Sequence, residues 1–411
     1  LTITSNGALA LDELDITNLS NLTASGAISS IADASLKLGS LRVETADNVT
    51  LTLAEGFEFA GNSDVGGDLD ITVEDGDIGN ATLGTLDVAG SARFDAARDI
   101  LLTNTHSFEG SVETEGRNVS LTNLDGLVLG DQTTTGNLTI VAGGELTSTA
   151  TAQIAVSGDG AFTGTRITLG QGDARSLTTD ALTLNSEGRV EVDHTGDVVF
   201  ANTSAVAELL LVTNGNVTDR AAGGRLETTD SLEIRATNIR LDNIHSLDGT
   251  LLLSATDAYL NTETDLTFGN TTLTGDLVAI ADGVSGTVRN AENATIQIDG
   301  LAWLRGNTID MGASLEADFR AGSLRLGATE DASIVEQDGT LFVESSVMGG
   351  NLNLESGGAI EQTTDATLIV QGDTTLRAVD GLTEQPETVR LTGANDFAGQ
   401  LGITNAGDVA L

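Results

Sequence analysis

The reactive side chains of this sequence fall in a few short phrases. At position 106 the chain reads HSFEGSVETEGRNVSLT and at position 245 HSLDGTLLLSATDAYLN, so two of the three histidines are each followed by Ser, a large apolar residue, an acid and Gly. Histidine, serine and a carboxylate are the material of nucleophilic hydrolysis, in which imidazole takes the hydroxyl proton and the carboxylate orients the imidazole. No G-x-S-x-G elbow occurs, and Ser107 beside His106 is a neighbour in sequence only. The third histidine, His194 in VDHTGD, reads most simply as a polar turn residue.

Carboxylates offer a second chemistry. A glycan-cleaving site needs acids, or Arg and Lys bases, converging on one face beneath groove-forming loops. Here the acids are spread along the chain at turn and outward positions, which is the pattern of a solvated face. EDGDIGN from Glu74 sets Asp75 and Asp77 around Gly76, and oxygen-rich turns suit a hard cation, so Asp75 and Asp77 are the calcium candidates. The G-G-x-G-x-D and EF-hand patterns are both absent. Gly158-Asp159-Gly160 with Gly164 is not a phosphate loop, because no helix follows to supply the dipole. No other cofactor is expected. Asn-x-Ser/Thr triplets at Asn18, Asn48, Asn118, Asn137, Asn216 and Asn293 could accept glycans. The plainer reading is that Asn at a corner, then an apolar residue, then Thr is what a recurring strand turn demands.

What must position such residues follows from composition. The apolar share is 39% but aromatics are 3%, Pro occurs once and Gly 49 times. Leu, Val, Ile, Ala, Thr, Asn, Asp and Ser form a strand-and-turn vocabulary. With 61 acids against 18 bases the net charge is −43. Such a surface repels phosphate backbones and anionic headgroups, so no nucleic acid and no membrane insertion are expected. The near absence of Lys fits life in saline water, where salt screens self-repulsion. Without cysteine there is no disulfide framework, thiolate metal site or cysteine nucleophile. No apolar run approaches the length of a membrane span, and LTITSNGALAL at the start lacks the regions of a secretion signal, which is expected to lie upstream or to have been removed.

The sequence repeats itself. Anchor phrases begin LTITSNGAL, DLDITVEDGDI, NLTIVAGGEL, ELLLVTNGNV, DLVAIADGV and NLNLESGGAI, with anchors at Leu1, Leu69, Leu138, Leu209, Leu277 and Leu352. The chain is therefore read as one continuous domain over 1–411, a tandem array of units of about 70 residues starting near 1, 69, 138, 209, 277 and 352. An apolar position with aromatic bias follows each later anchor by about 25 residues: Phe94, Phe162, Ile234, Trp303 and Leu376. His106 and His245 share one phase of the repeat. The equivalent phrase ANDFAGQ carries Asn395 and Asp396, so that position does not require imidazole.

Inside a unit, strict alternation runs for a short strand's length and then meets a Gly, Asn or Asp turn. In DLDITVEDGD, Leu69, Ile71 and Val73 face one side and the polar residues the other. No such strand can bury a face alone. Coiling the chain so that each strand lies above its counterpart one turn earlier gives three long parallel sheets around a narrow core. The expected fold is all-β, a right-handed parallel β-helix with three coils of ~23 residues per unit, about 18 coils and a rod of roughly 85 Å. Trp303 fills a local widening of that core or points outward, and burial is the commoner fate of such a ring. TEQPET around Pro386 reads as a turn insertion.

The phrases GNLTIVAGGELTSTATAQIAVSGDGAFTGTRITLG and ANDFAGQLGITNAGDVAL resemble the repeats of filamentous-haemagglutinin-like exoproteins, the β-helical adhesins of bacterial two-partner secretion. The resemblance is one of repeat texture over the whole chain. It implies an extracellular or cell-surface protein, exported through an outer-membrane transporter, that serves adhesion, aggregation or matrix formation. The chain has no Arg-Gly-Asp tripeptide and no basic heparin patch, and the family's secretion domain is missing. A non-enzymatic adhesive rod is the leading expectation, with cell-surface or matrix glycans as possible partners. A self-assembling fibre subunit and a polysaccharide-acting enzyme are the alternatives. Both termini cut the repeat, so further repeats or other copies of the chain are expected end to end.

Overall fold

The computed structural model describes residues 1–171, 176–283, 286–312, 318–337, 339–381 and 383–411. Every named element is a β-strand. Among the described residues no helix is long and apolar enough to cross a membrane. The chain divides into two compact units, Leu1–Ala201 and Asn202–Leu411.

In each unit the strands stack in parallel, as the coiled repeat predicts, and their side chains alternate in and out. Leu69, Ile71 and Val73 of strand Leu69–Val73 are buried while Asp70 and Thr72 stand between them on the outer side. Three inward columns build the first unit. One runs Ile28–Val49–Leu69–Ala92–Val112. The second runs Phe57–Ile78–Ile100–Val119–Leu138–Gly160–Leu182–Phe200. The third is Ser5–Ala24–Thr45–Val65–Val88–Phe108. Most of these side chains are fully buried, and each Leu, Ile or Val so placed contributes about 1.5–3 kcal/mol of apolar burial. Phenylalanines thicken the core in pairs: Phe57 and Phe59 meet edge to face at 4.8 Å, Phe94 and Phe108 at 6.0 Å.

The same ladders correct the expected coil. The repeat anchors do not stack on one another. Leu69 lies in the first column, Leu138 in the second, and the strand after Leu1 feeds the third. The second unit behaves alike. Leu209 belongs to Leu209–Leu232–Leu251–Phe268 and Leu277 to Val217–Ile239–Ala258–Leu277–Ala302–Leu324. Leu352 belongs to Leu266–Val288–Ile309–Ala332–Leu352–Thr374–Leu401. Steps along a column are about 21 residues, so a repeat of about 70 residues makes three coils and one further face, not three coils of ~23. All three faces ask for the same inward Leu, Ile and Val, which is why a unit can shift by one face without harm.

Three further expectations fall on the described residues. Phe94, Phe162, Ile234 and Leu376 are fully buried. Trp303 instead faces outward, because strand parity is strict and the inward places on either side of it are taken by Ala302 and Leu304. Pro386 sits in a turn closed by an antiparallel bridge to Val379, outside the parallel ladders.

Candidate functional site

The corners of the coils hold the first organised set of polar groups. Asp77 Oδ1 accepts the Asp99 N–H at 2.9 Å, Asp99 Oδ1 that of Asn118 at 3.1 Å, Asn118 Oδ1 that of Asn137 at 3.0 Å, and Asn137 Oδ1 that of Asp159 at 3.0 Å. A parallel ladder links Asn48 to Asp68 and Asp68 to Ser91. In the second unit Asp257, Asp276, Asp331, Asn351 and Asp373 accept in the same way from the next coil. A chain leaving a strand at a corner exposes an N–H with no strand partner, and a short Asp or Asn side chain one coil below satisfies it. Arg117 grips Asp99 with donors at 2.8 and 2.6 Å, and this guanidinium, with Asn118, holds the pKa of the Asp99 carboxyl down to about 2.

The ladders account for several residues singled out in the sequence. Asp77 is a rung, and Asp75 Oδ1 accepts from Arg98 Nη2 at 3.0 Å, so each calcium candidate has a protein partner. Among the described residues no three His, Asp or Glu side chains come close enough to hold a metal ion. The triplets at Asn48, Asn118 and Asn137 are rungs, which supports the turn reading of those asparagines.

The histidines form the second set, and all three are buried. His106 Nδ1 accepts the Leu86 N–H at 3.0 Å, with Nε2 3.4 Å from Asn80 Oδ1. His245 Nδ1 accepts the Leu226 N–H at 2.9 Å, with Nε2 2.9 Å from Asp219 Oδ2. Because Nδ1 is the acceptor, Nε2 carries the proton in the neutral ring and donates to Asn80 or Asp219. Just before each histidine an Asn braces the same corner. Asn104 Nδ2 donates to Ala81 O and Gly84 O at 2.7 Å each; Asn243 Nδ2 donates to Arg220 O at 2.7 Å and Gly224 O at 2.6 Å.

At the third copy the imidazole is replaced but its function is kept. Asn395 Oδ1 accepts the Leu368 N–H at 2.9 Å, and Gln362 Nε2 donates to the same oxygen at 2.7 Å. The partners Asn80, Asp219 and Gln362 were missed by sequence reasoning. The signal was there: Asn80 and Asp219 precede their histidines by the same interval, and each closes a short strand of the same shape, Ile78-Gly79-Asn80 and Val217-Thr218-Asp219. The glycine in HSLDG also has a backbone cause. A Cβ on Gly249, which has φ +89°, would lie 1.6 Å from the Asp230 carbonyl oxygen.

His194 corrects its expectation. It ends strand Ala181–His194 and points into the core, where Nε2 accepts the Thr179 N–H at 3.1 Å and Nδ1 lies 3.4 Å from Gly196 O. An inward strand end with an unpaired neighbouring N–H needs an acceptor, and the polar letters around it hid that demand. Burial lowers the pKa of all three histidines, that of His106 to about 4. For His245 and His194 the lowering is opposed by Asp219 and by Gly196 with Asp197, respectively.

These geometries can do little at a solvent-borne substrate. The His245 and Asp219 side chains are 0% and 3% exposed, so nothing outside the core can reach the pair. Ser107 stands on the outward side of the strand that turns His106 inward. A surface depression of the second unit, about 630 Å³, exposes Asp310, Ser333, Asn353 and Thr375, and its Asp331 and Asp373 are ladder rungs.

No curated protein and no solved structure matches the chain. One family does, over residues 46–115, 116–183 and 329–404, together just over half of the sequence. Each matched segment begins about one coil before an anchor, at Leu69, Leu138 and Leu352, so family repeat and anchor repeat are the same unit in one phase. The chain belongs to the family described as repeats of unknown function (DUF5649).

Proposed function

We propose that this protein is a non-enzymatic β-helical rod segment of a secreted bacterial surface protein, working in adhesion, aggregation or matrix formation. One observation carries the reading: the side chains best equipped for chemistry are consumed by the coil itself. All three histidines accept backbone N–H groups inside the core, and corner carboxylates and amides accept them along the ladders. A stack of nearest-neighbour coils suits a passive, extended role, because stability accrues coil by coil and the outer faces are free to vary. The likeness of the repeat phrases to filamentous-haemagglutinin-like exoproteins supports the same role and an extracellular location.

Beads coated with the protein should cluster or attach to bacterial or host cells more than beads coated with an acidic globular protein of matched charge. Equal attachment, or turnover of acidic or neutral polysaccharides by the purified protein, would overturn the proposal.

A further inference from the structure

The chain has one Trp and one Tyr, and the fold brings them to one outward row of the second unit. Lateral register places Arg240 beside Tyr259, Tyr259 beside Val278, Val278 beside Trp303 and Trp303 beside Arg325. Further along the same strands, Asn261, Ile280, Arg305, Gly327 and Val347 follow one another in the next outward row, where Ile280 is nearly covered by its neighbours and which runs on to Ile369 and Asp396. From Arg240 to Arg325 and from Asn261 to Val347 the rows carry no carboxylate, although acids outnumber bases more than three to one in the chain; Glu344 follows Arg325, and Asp242 and Asp396 bound the second row. Elsewhere an outward row mixes signs, as in Thr50–Asp70–Arg93–Glu113 of the first unit.

The arginines are held in place by the rings. The Arg325 guanidinium lies 4.6 Å from the centre of the Trp303 ring and that of Arg240 lies 5.1 Å from the Tyr259 ring. Arg240 is also paired with Asp242 at 2.7 Å, and Arg305 with Asp282 at 3.4 Å. Arg325 makes no ion pair among the described residues. Glu344, which shares a surface depression of about 460 Å³ with it, accepts from Ser323 Oγ at 2.9 Å.

We infer that this row is a binding surface for a linear glycan bearing carboxylates, such as a polyuronate; the inference rests on the adhesive reading above. The row crosses the strands, so it offers one side chain per ~4.8 Å. That is the arrangement a polymer of repeated rings can follow along the stack. Trp and Tyr present amphipathic bodies that suit the faces and hydroxyls of sugars. The Arg fork binds a planar carboxylate through two parallel hydrogen bonds, and Arg325, without an ion pair among the described residues, is placed to do so. The acid-free stretches of the two rows lessen the repulsion that the rest of this surface would exert on a polyanion.

The test uses the full 411-residue chain and defined probes: an oligouronate, a neutral glucan of similar length, and no glycan. Trp303→Ala and Arg325→Glu are compared with Arg93→Ala on the other unit, with melting curves to show that each variant folds. Oligouronate affinity should fall about tenfold or more in the first two variants and stay unchanged in the third. Equal binding of the neutral glucan, or unchanged oligouronate affinity in Trp303→Ala and Arg325→Glu, would overturn the inference. So would self-association without glycan that Trp303→Ala abolishes, accompanied by no oligouronate binding, since the row would then join copies of the chain. Bead attachment to cells is measured in parallel. Attachment that both variants leave intact sinks this inference and spares the adhesive reading, whereas no attachment by the parent sinks the adhesive reading itself.

Discussion

His245 Nε2 stands 2.9 Å from Asp219 Oδ2 in the core of the second unit, while Nδ1 takes the Leu226 N–H; in the first unit His106 holds Asn80 and the Leu86 N–H in the same way. The third copy does this with Asn395 and Gln362. An acceptor at this depth is therefore required and an imidazole is not. His106→Ala should cost about 1–3 kcal/mol, because the Leu86 N–H and Asn80 are left unpaired in the core. His106→Asn should recover part of that loss. Urea midpoints of the two variants, with hydrogen exchange at the Leu86 amide, check the order; equal losses would mean that volume and not acceptance governs the position.

The same burial sets a pH dependence. The folded pKa of His106 is about 4 against 6.5 for the ordinary group, so the unfolded chain takes up a proton first as pH falls. Stability from this residue is complete above about pH 6.5 and declines between 6.5 and 4, by about 2 kcal/mol at pH 5. His245 and His194, also lowered, add losses of the same sign below pH 6.5. Midpoints measured from pH 7.5 to 5 should fall, and His106→Asn should flatten part of the slope. A flat profile in the parent would contradict buried neutral histidines.

Much of this is legible in the sequence. Alternation in phrases such as DLDITV named both the strands and their inward residues, because a period of two has only two faces to choose between. The long repeat was equally plain, yet it misled about the coil. A sequence period says how the chain was duplicated, and a coil length says how far it must travel to close three faces. Nothing in the leucines reveals that the two differ by a third of a turn. The histidine corners were harder for another reason. Asn80 and Asp219 look like turn residues, and what they hold lies a coil away. Trp303 was misplaced by one residue of parity, the smallest error a strand allows and one that reverses the outcome.

Asp99 tests the corner ladders. It accepts from Arg117 and from the backbone and side chain of Asn118. Asp99→Ala removes all of these at once and should lower stability by about 1–2 kcal/mol. Asp99→Asn keeps a rung oxygen for the Asn118 N–H and should lose less. Identical midpoints for parent and Asp99→Ala would show that the rungs carry no stability.

Parity makes the sharpest contrast between two aromatic residues. Phe94 is fully buried and pairs laterally with Ile71 and Thr114, while Trp303 lies on the outer face. Phe94→Ala empties part of a core only one coil wide, where neighbours above and below are pinned by their own ladders and cannot collapse inward. It should cost about 3–5 kcal/mol. Trp303→Ala removes a larger side chain but opens no cavity, and should cost about 1 kcal/mol or less, mostly the contact with Arg325. Urea unfolding of both variants decides the matter: if removing Trp303 destabilised as much as removing Phe94, the ring would have to be inside, and the register of strands Thr295–Gly306 and Asp318–Ala328 would be wrong by one residue.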